Sequence, residues 1–227
     1  MQYRYQMHIH TTACSRCGLM TPHELCQSLY ENGYKGAVLT NHFLHGNTEI
    51  DRNLPWDEFV REYEKDYLEC KEAAKEFDLD ILFGIEEVVL PGLEILCYGL
   101  TPEILYENPD LGKWGVENWS ELIHKNGVVL IQAHPYREAD YIPNPGPLPL
   151  EYVDGIEIYN HGNSKKEMNE KAMSLAKENP HLITTSGADA HWAENVPFGG
   201  IVTKKRIQNE KTLAEILRSK DFELIIP

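Results

Sequence analysis

The chain has 227 residues, of which 42% are hydrophobic and 25% are charged, and its formal net charge is −15. This composition predicts a globular protein, and the length allows a single domain over residues 1–227 with a sizeable core. The negative charge argues against nucleic-acid polymers and anionic membranes and favours a small-molecule substrate. Five cysteines, an odd number, favour reduced thiols and a cytoplasmic setting. The sequence has neither an apolar run of membrane-spanning length nor a signal peptide.

Helix-period segments alternate with short apolar or β-branched runs along the chain, which predicts an α/β fold with parallel strands. The first helix begins at a capping box, Thr21-Pro22-His23-Glu24, and ends at Asn32-Gly33. Further helices are predicted over residues 55–77, 116–125, 165–178 and 210–219. Strands are predicted over residues 3–10, 36–40, 80–85, 95–99, 127–132, 155–159, 182–185 and 200–202, which is enough to close a barrel.

Histidines and acidic residues recur where the predicted strands end. His8-Ile9-His10 closes the first strand, and its spacing places both imidazoles on one face of that strand. Comparable residues end later apolar runs, in Asn41-His42, Glu86-Glu87, Ala133-His134-Pro135 and Asp189-Ala190-His191. In α/β barrels the carboxyl ends of the strands meet at one mouth. The pattern therefore predicts one cluster of imidazole and carboxylate ligands, which suits zinc, iron or manganese.

Five segments carry this pattern in full: Met7-His8-Ile9-His10-Thr11, Thr40-Asn41-His42, Gly84-Ile85-Glu86, Ala133-His134-Pro135-Tyr136-Arg137 and Ser186-Gly187-Ala188-Asp189-Ala190-His191. In this order they resemble the polymerase and histidinol phosphatase (PHP) family, and the resemblance spans nearly the whole chain. It implies a distorted seven-stranded β/α barrel, similar to a TIM barrel, with two to three divalent metal ions at its mouth. The family hydrolyses phosphate esters, so the resemblance implies a phosphatase or phosphodiesterase.

The resemblance also implies a ligand set for each metal ion. The first metal would be held by His8, His10, Glu86 and Asp189. Glu86 would bridge to a second metal that also binds His134. A third metal would be bound by His42 and His191. A carboxylate can bridge two ions where an imidazole cannot, which fits this placement of Glu86.

This chain departs from the family pattern at positions near the expected metals. Glu94 stands where relatives often have a histidine, and it is either a substitute ligand for the second metal or a solvated carboxylate. Cys17 stands where relatives often have an aspartate, so its thiolate would make the third site favour zinc, unless the thiol packs within its own loop. Asn41 stands where an aspartate is usual beside His42, which removes a carboxylate that could orient this imidazole.

The expected reaction is attack on the phosphorus of a small phosphate ester by a metal-activated hydroxide. Asp189 or His191 would move protons, and Arg137 would neutralise charge on the phosphoryl oxygens. Arg16 is a second candidate cation near the mouth. The proline-rich segment 143–149 is expected either to wall the site or to be a rigid connector.

Two other functions are compatible with the sequence. An amidohydrolase-type enzyme shares the N-terminal His-x-His motif, but such enzymes usually carry a bridging lysine, and here only Lys204-Lys205 lie at a predicted strand end. A non-catalytic, metal-binding accessory or regulatory domain would explain the replaced ligands. Phosphatase assays at varied metal content distinguish these alternatives.

Overall fold

The structure is a computed structural model that describes residues 2–113 and 115–227, and the fold is mixed α/β. The strands in these residues are β1 (Tyr3–Gln6), β2 (Gly36–Leu39), β3 (Asp80–Leu90), β4 (Leu93–Tyr98), β5 (Val129–Gln132), β6 (Gly155–Asn160), β7 (Ile183–Gly187), β8 (Ile201–Thr203) and β9 (Phe222–Leu224). The helices are α1 (Pro22–Glu31), α2 (Trp56–Ala74), α3 (Pro102–Glu107), α4 (Val116–Lys125), α5 (Lys166–Glu178) and α6 (Glu210–Ser219).

These strands form one sheet, in the order β7-β6-β5-β4-β3-β2-β1-β8-β9, which curves into a nearly closed barrel. Strands β1 to β3 pair in parallel, as do β5 to β7. Just beyond β1 and β7, Ile9 and Ala190 form a parallel bridge. In this bridge His10 N donates to Ala190 O (2.9 Å) and Ala190 N donates to His8 O (3.2 Å). The barrel is therefore closed at its mouth by the segments that carry candidate ligands.

The sheet has nine strands in the described residues, not the seven that the family resemblance implies, and not all of them are parallel as the sequence pattern predicts. Strand β4 runs antiparallel to β3 and β5, and β8 and β9 extend the sheet beyond β1 in antiparallel pairs. The chain reverses between β3 and β4 at Pro91-Gly92, where Gly92 has a φ of 74°. Glycine adopts this conformation without the steric penalty of a side chain. Strand β4 therefore starts at the barrel mouth, where the parallel strands end.

The predicted helices are confirmed with small changes in their bounds. The Thr21 side chain accepts a hydrogen bond from Glu24 N, the Glu24 side chain accepts one from Thr21 N, and α1 ends at Asn32. Helix α2 is followed by a 3-10 turn over Lys75–Phe77, and α4 and α6 have the predicted bounds. Helix α3 and strand β9 were not predicted, because six and three residues are too few to establish a hydrophobic period.

The sheet buries apolar side chains on both faces. One face packs against α1, α2 and α4, through residues such as Leu25, Phe59 and Trp119. On the other face, strand residues such as Val38 and Leu96 belong to a cluster with the apolar side of α6. This two-sided burial follows from the alternation of side chains along a strand and fixes the strands that lead to the mouth.

Cys26, Cys70 and Cys97 are fully buried, as predicted for small hydrophobic side chains, and all five cysteines are free thiols. Within the described residues, none of the helices combines the length and the apolar character that crossing a bilayer requires.

Candidate metal centre

The predicted ligands converge at the barrel mouth. The segments after β1, β2, β5 and β7 carry His8, His10, His42, His134, Asp189 and His191. The expectation that Glu86 follows a strand is wrong, because Glu86 lies within β3, whereas Glu94 lies near the start of β4. Strand β3 continues past the mouth and β4 returns to it, so both carboxylates reach the same place. We call these eight candidate ligands the metal centre.

Glu86 is the central residue of the metal centre, and it is 1% exposed. Its Oε1 lies 3.1 Å from His8 Nε2 and 3.0 Å from His134 Nε2. Its Oε2 lies 3.0 Å from His42 Nδ1 and 3.5 Å from His10 Nε2. One carboxylate therefore faces four imidazoles, two at each oxygen, as a bridging ligand would.

Asp189 faces the two histidines of the N-terminal motif. Its Oδ1 lies 3.1 Å from His10 Nε2 and 3.4 Å from His8 Nε2. Its backbone is left-handed, with a φ of 53°, and His134 has a φ of 25°. Non-glycine residues with positive φ are uncommon and concentrate at functional sites, where the surrounding structure holds them. Two candidate ligands are thus held in conformations that an unconstrained chain disfavours.

Three groups of side chains have ligand atoms within 4.8 Å of one another, namely His8, His10, Glu86 and Asp189; His42, Glu86 and Glu94; and His10, His42 and His191. The first group matches the set implied for the first metal. The other two overlap with the implied second and third sets, but His42 belongs to both of them. His134 faces the second group, since its Nε2 lies 3.4 Å from Glu94 Oε2.

Buried polar atoms at this centre lack hydrogen-bond partners. Among the described residues, His8 Nε2, His42 Nδ1 and Glu86 Oε2 make no well-aligned hydrogen bond, although their neighbours are as close as 3.0 Å and each residue is at least nine-tenths buried. Buried polar atoms are normally satisfied, and an unsatisfied one is costly. Imidazole nitrogens and carboxylate oxygens are ligands of zinc, iron and manganese. The residues therefore fit divalent metal ions, which would satisfy these atoms.

At several groups of the metal centre, charge interactions shift the pKa more than burial does and in the opposite direction. Although burial favours its neutral form, the carboxylates of Glu86 and Asp189 raise the pKa of His8 well above its usual value. Burial would raise the pKa of Glu86, but the facing imidazoles hold it well below its usual value. Burial and the neighbouring imidazoles lower the pKa of His10 to about 3. His10 is therefore a neutral imidazole at neutral pH, which is the form that binds metal.

Glu157 on β6 holds two of the candidate ligands, His8 and His134, in position. Its Oε1 lies 3.1 Å from His8 Nδ1, and its Oε2 accepts a hydrogen bond from His134 N (3.1 Å). Asn160 Nδ2 also donates to Oε2 (2.8 Å) and fixes the carboxylate. A carboxylate only accepts hydrogen bonds, so His8 carries a proton on Nδ1 toward Glu157 and turns Nε2 to Glu86.

Of the three residues that depart from the family pattern, Glu94 and Cys17 have contacts with candidate ligands. Glu94 is 7% exposed, and its Oε1 lies 3.7 Å from His42 Nδ1, so it is not a solvated carboxylate. Burial and the charge of Glu86 raise the pKa of Glu94 to about 7. Cys17 Sγ lies 3.1 Å from His191 Nε2. Against the effect of burial, hydrogen bonds from His191 and His42 lower the pKa of Cys17 to about 6, which favours the thiolate at neutral pH.

A cavity of about 400 Å³ opens over the metal centre. It is lined by Cys17, His42, Asn47, Glu94, Arg137, Tyr141, Asp189 and His191. The proline-rich segment 143–149 contributes none of these lining residues, and the side chain of Gln132 instead ties it down through Gly146 O (2.9 Å) and Leu148 N (2.8 Å). Tyr141, just ahead of that segment, stands at the rim and is 64% exposed.

The two candidate cations lie in different places. Arg137 lines the cavity and donates to Asp189 Oδ2 (2.5 Å) and Asn160 Oδ1 (2.7 Å). Arg16 pairs with Glu49 at the surface, where both side chains are more than half exposed, and it is not among the lining residues. Arg137 is therefore the arginine placed to meet a ligand in the cavity.

Sequence reasoning missed several polar residues around the centre, including Asp66, Ser15 and Tyr141. Asp66 carried a signal in the sequence, because it lies at helical spacing among the apolar residues of α2. In the structure it is 2% exposed. Acidic residues are seldom buried without partners. Ser15 and Tyr141 lie outside regular elements, where periodicity gives no information about the direction of a side chain.

Comparison with known proteins gives matches in structure only. No family model and no curated protein matches the sequence. A crystal structure from Bacteroides vulgatus ATCC 8482, described as a two-domain protein containing a predicted PHP-like metal-dependent phosphoesterase, covers 100% of this chain with a TM-score of 0.71 and 13% sequence identity. The chain has the PHP fold. The resemblance found in the sequence is thereby confirmed at the level of the fold.

Two further solved structures share the fold of this chain. A lesion-specific endonuclease, EndoQ from Pyrococcus furiosus, covers 99% of the chain with a TM-score of 0.63 and 12% identity. An amidohydrolase from Chromobacterium violaceum covers 96% of the chain with a TM-score of 0.59 and 14% identity. The chain spans 65% of the Bacteroides protein, 58% of the endonuclease and 97% of the amidohydrolase. These names differ in their reactions, so the function has to be argued from the site.

Replacing Glu157 with glutamine is expected to weaken metal binding by about 10–100-fold, because an amide holds the Nδ1 proton of His8 less strongly than a carboxylate does. Competitive titration with a chelator measures the change. Glu151→Gln, in the exposed turn before β6, is the matched control and should leave the affinity unchanged. A folded Glu157→Gln variant with unchanged affinity would contradict this role.

Proposed function

We propose that this protein is a metal-dependent phosphoric ester hydrolase, a phosphatase or phosphodiesterase, that acts on a small phosphate ester. The observation that supports it best is the buried Glu86 carboxylate, which faces four imidazoles with unpartnered polar atoms between them. Unsatisfied buried atoms in such a donor set are costly to the fold, and this cost favours a metal site over a purely structural cluster.

The residues fit two to three divalent ions, of zinc, iron or manganese. The ligands would be His8, His10, His42, Glu86, Glu94, His134, Asp189 and His191, with Cys17 at the third site. When bound, such ions lower the pKa of a coordinated water and stabilise the charge of an in-line phosphoryl displacement.

The side chains around the cavity supply the other parts of the reaction. Arg137 uses its Nε and one terminal nitrogen in its described bonds, and a guanidinium has five N–H donors, so others can face a phosphoryl oxygen. Asp189 and His191 line the same cavity and can accept or return a proton. The pKa of His191 is raised, since its contacts with Cys17 and Asp189 outweigh the effect of burial, and this favours its protonated form.

The cavity favours a small substrate over a polymer. Its volume of about 400 Å³ lies within the range of small-molecule sites. The net charge of −15 opposes the approach of a polyanion. The endonuclease with the same fold is the reason to test oligonucleotides beside small esters.

We also propose that residues 1–227 form one domain. Strand β1, near the start of the chain, pairs with β8, and β8 pairs with β9 near its end. A sheet that joins both ends of the chain supports one folded unit over these residues.

The first expected outcome is that the metal-loaded protein hydrolyses a phosphate ester and that a chelator abolishes turnover. A panel of small phosphomonoesters, phosphodiesters, oligonucleotides, amides and lactones, run with elemental analysis of the bound metal, measures this. A fully metallated protein that hydrolyses none of these compounds would favour a non-catalytic metal-binding domain. Turnover of amides or lactones alone would favour the amidohydrolase alternative.

Replacing Arg137 with alanine is expected to lower kcat/KM by about 10–100-fold with metal content intact, because a charge-assisted contact to the phosphoryl group is lost. Arg16→Ala is the matched control and should be kinetically silent, since Arg16 is exposed and paired with Glu49. Unchanged kinetics for Arg137→Ala would remove Arg137 from substrate binding. Loss of metal would show that it acts by holding Asp189 instead.

Replacing Cys17 with serine is expected to remove close to one equivalent of bound zinc, because a thiolate beside His42 and His191 makes the third site soft. Elemental analysis against protein concentration measures the loss. Cys14→Ala, which removes the buried thiol of the same loop, is the control and should keep all of the metal. A metal-loaded structure with Cys17 Sγ more than about 4 Å from every ion would end this idea, since a zinc–thiolate bond is about 2.3 Å.

A further inference from the structure

A buried chain of hydrogen bonds leads from helix α2 to the metal centre. Asp66 Oδ2 accepts from Thr11 Oγ1 (2.5 Å) and from Asn41 Nδ2 (2.9 Å). Asn41 Oδ1 accepts from Ser15 Oγ (2.9 Å), and Ser15 Oγ lies 3.2 Å from His10 Nδ1. Each of these five residues is exposed by 2% or less. Water is therefore kept away from every link, and each link is stronger than it would be in solvent.

The direction of every hydrogen bond in this chain follows from its geometry. A carboxylate oxygen only accepts, so Asn41 must turn its NH₂ group to Asp66 and its oxygen to Ser15. Two oxygens 2.9 Å apart need a proton between them, and only the Ser15 hydroxyl can supply it. Having donated that proton, Ser15 Oγ can only accept from His10 Nδ1, as it also accepts from His42 N (3.0 Å).

These hydrogen-bond directions place a proton on His10 Nδ1. With the proton on Nδ1, the neutral ring has a free lone pair on Nε2. In that neutral ring the nitrogen carries no proton, and it lies 3.1 Å from Asp189 Oδ1 and 3.5 Å from Glu86 Oε2. A lone pair and two carboxylate oxygens that converge in this way are stable only around a cation.

We propose that Asp66 is a positioning residue which, through Asn41 and Ser15, holds His10 as the Nδ1–H tautomer and aims its Nε2 at a metal ion. The inference rests on the proposed function in one respect, namely that His10 is a metal ligand. His8 is oriented by direct contact with the Glu157 carboxylate, whereas His10 reaches a carboxylate through two intermediate residues. Helix α2 also holds Asn41 through Tyr63, whose OH donates to Asn41 O (2.6 Å).

The test uses Asp66→Asn and the double variant Asn41→Asp, Asp66→Asn. An amide at position 66 can donate as well as accept and carries no charge, so the orientation of the Asn41 amide is then held only by Thr11 N, which donates to Asn41 Oδ1 (2.8 Å). Zinc affinity should fall by about tenfold, and two-bond ¹H–¹⁵N spectra of the metal-free protein should show less Nδ1–H tautomer at His10. The double variant moves the carboxylate one link inward with the atoms in place, so it should restore both the tautomer and most of the affinity.

Two controls separate positioning from a merely structural effect. Tyr63→Phe removes a bond from the same helix to the backbone of Asn41, and should lower stability while leaving tautomer and zinc affinity unchanged. Ser15→Ala breaks the last link and carries the test if Asp66→Asn does not fold, with the same loss expected. Unchanged tautomer and affinity in folded Ser15→Ala or Asp66→Asn would overturn the proposal, as would a double variant no better than Asp66→Asn. Tautomer changes in a protein that binds no zinc would support the hydrogen-bond chain and overturn the proposed function instead.

Discussion

The burial of the Glu86 carboxylate is the constraint on which the rest of the structure depends. A buried charge costs several kcal/mol unless other groups compensate it. Here the compensation comes from imidazoles that follow β1, β2 and β5, so three separate strands must end at one point for the charge to be tolerated. The low pKa of Glu86 and the high pKa of His8 record this mutual stabilisation. A divalent ion among the same atoms would relieve the remaining unpartnered nitrogens and oxygens.

Closure of the barrel and assembly of the metal centre are the same structural event. The backbone bonds that join the segments after β1 and β7 use His8, His10 and Ala190, so they lie between candidate ligands. The positive φ of Asp189 aims its carboxylate at both histidines from the other side of the bridge. Backbone strain of this kind persists only where surrounding contacts fix it, and here those contacts are the ligands themselves.

The Nδ1 atoms of the two histidines in the N-terminal motif contact different kinds of hydrogen-bond acceptor. Glu157 meets His8 directly, whereas a serine and an asparagine separate His10 from the Asp66 carboxylate. A direct carboxylate makes a ligand imidazole more basic, and a hydroxyl fixes the ring with less added negative charge. The cluster already contains the carboxylates of Glu86, Glu94 and Asp189. Because the Asp66 carboxylate lies on α2 and not beside His10, it adds less repulsion to these three.

The sequence by itself determined most of the elements and the residue types of the candidate ligands. The capping box at Thr21 and the helical periods of α2, α4 and α6 are local signals, and local signals survive folding. The recurrence of His, Glu and Asp at apolar run ends indicated a metal cluster before any geometry was known. The sequence could not give the direction of β4, because an apolar run reads the same in either direction, nor the short β9. Only the tertiary structure decided that Glu94 is buried against His42 and His134, that Cys17 faces His191, and that Asp66 on a distant helix reaches His10. Those contacts join positions far apart in the chain, and their energies exist only once the barrel has closed and excluded water.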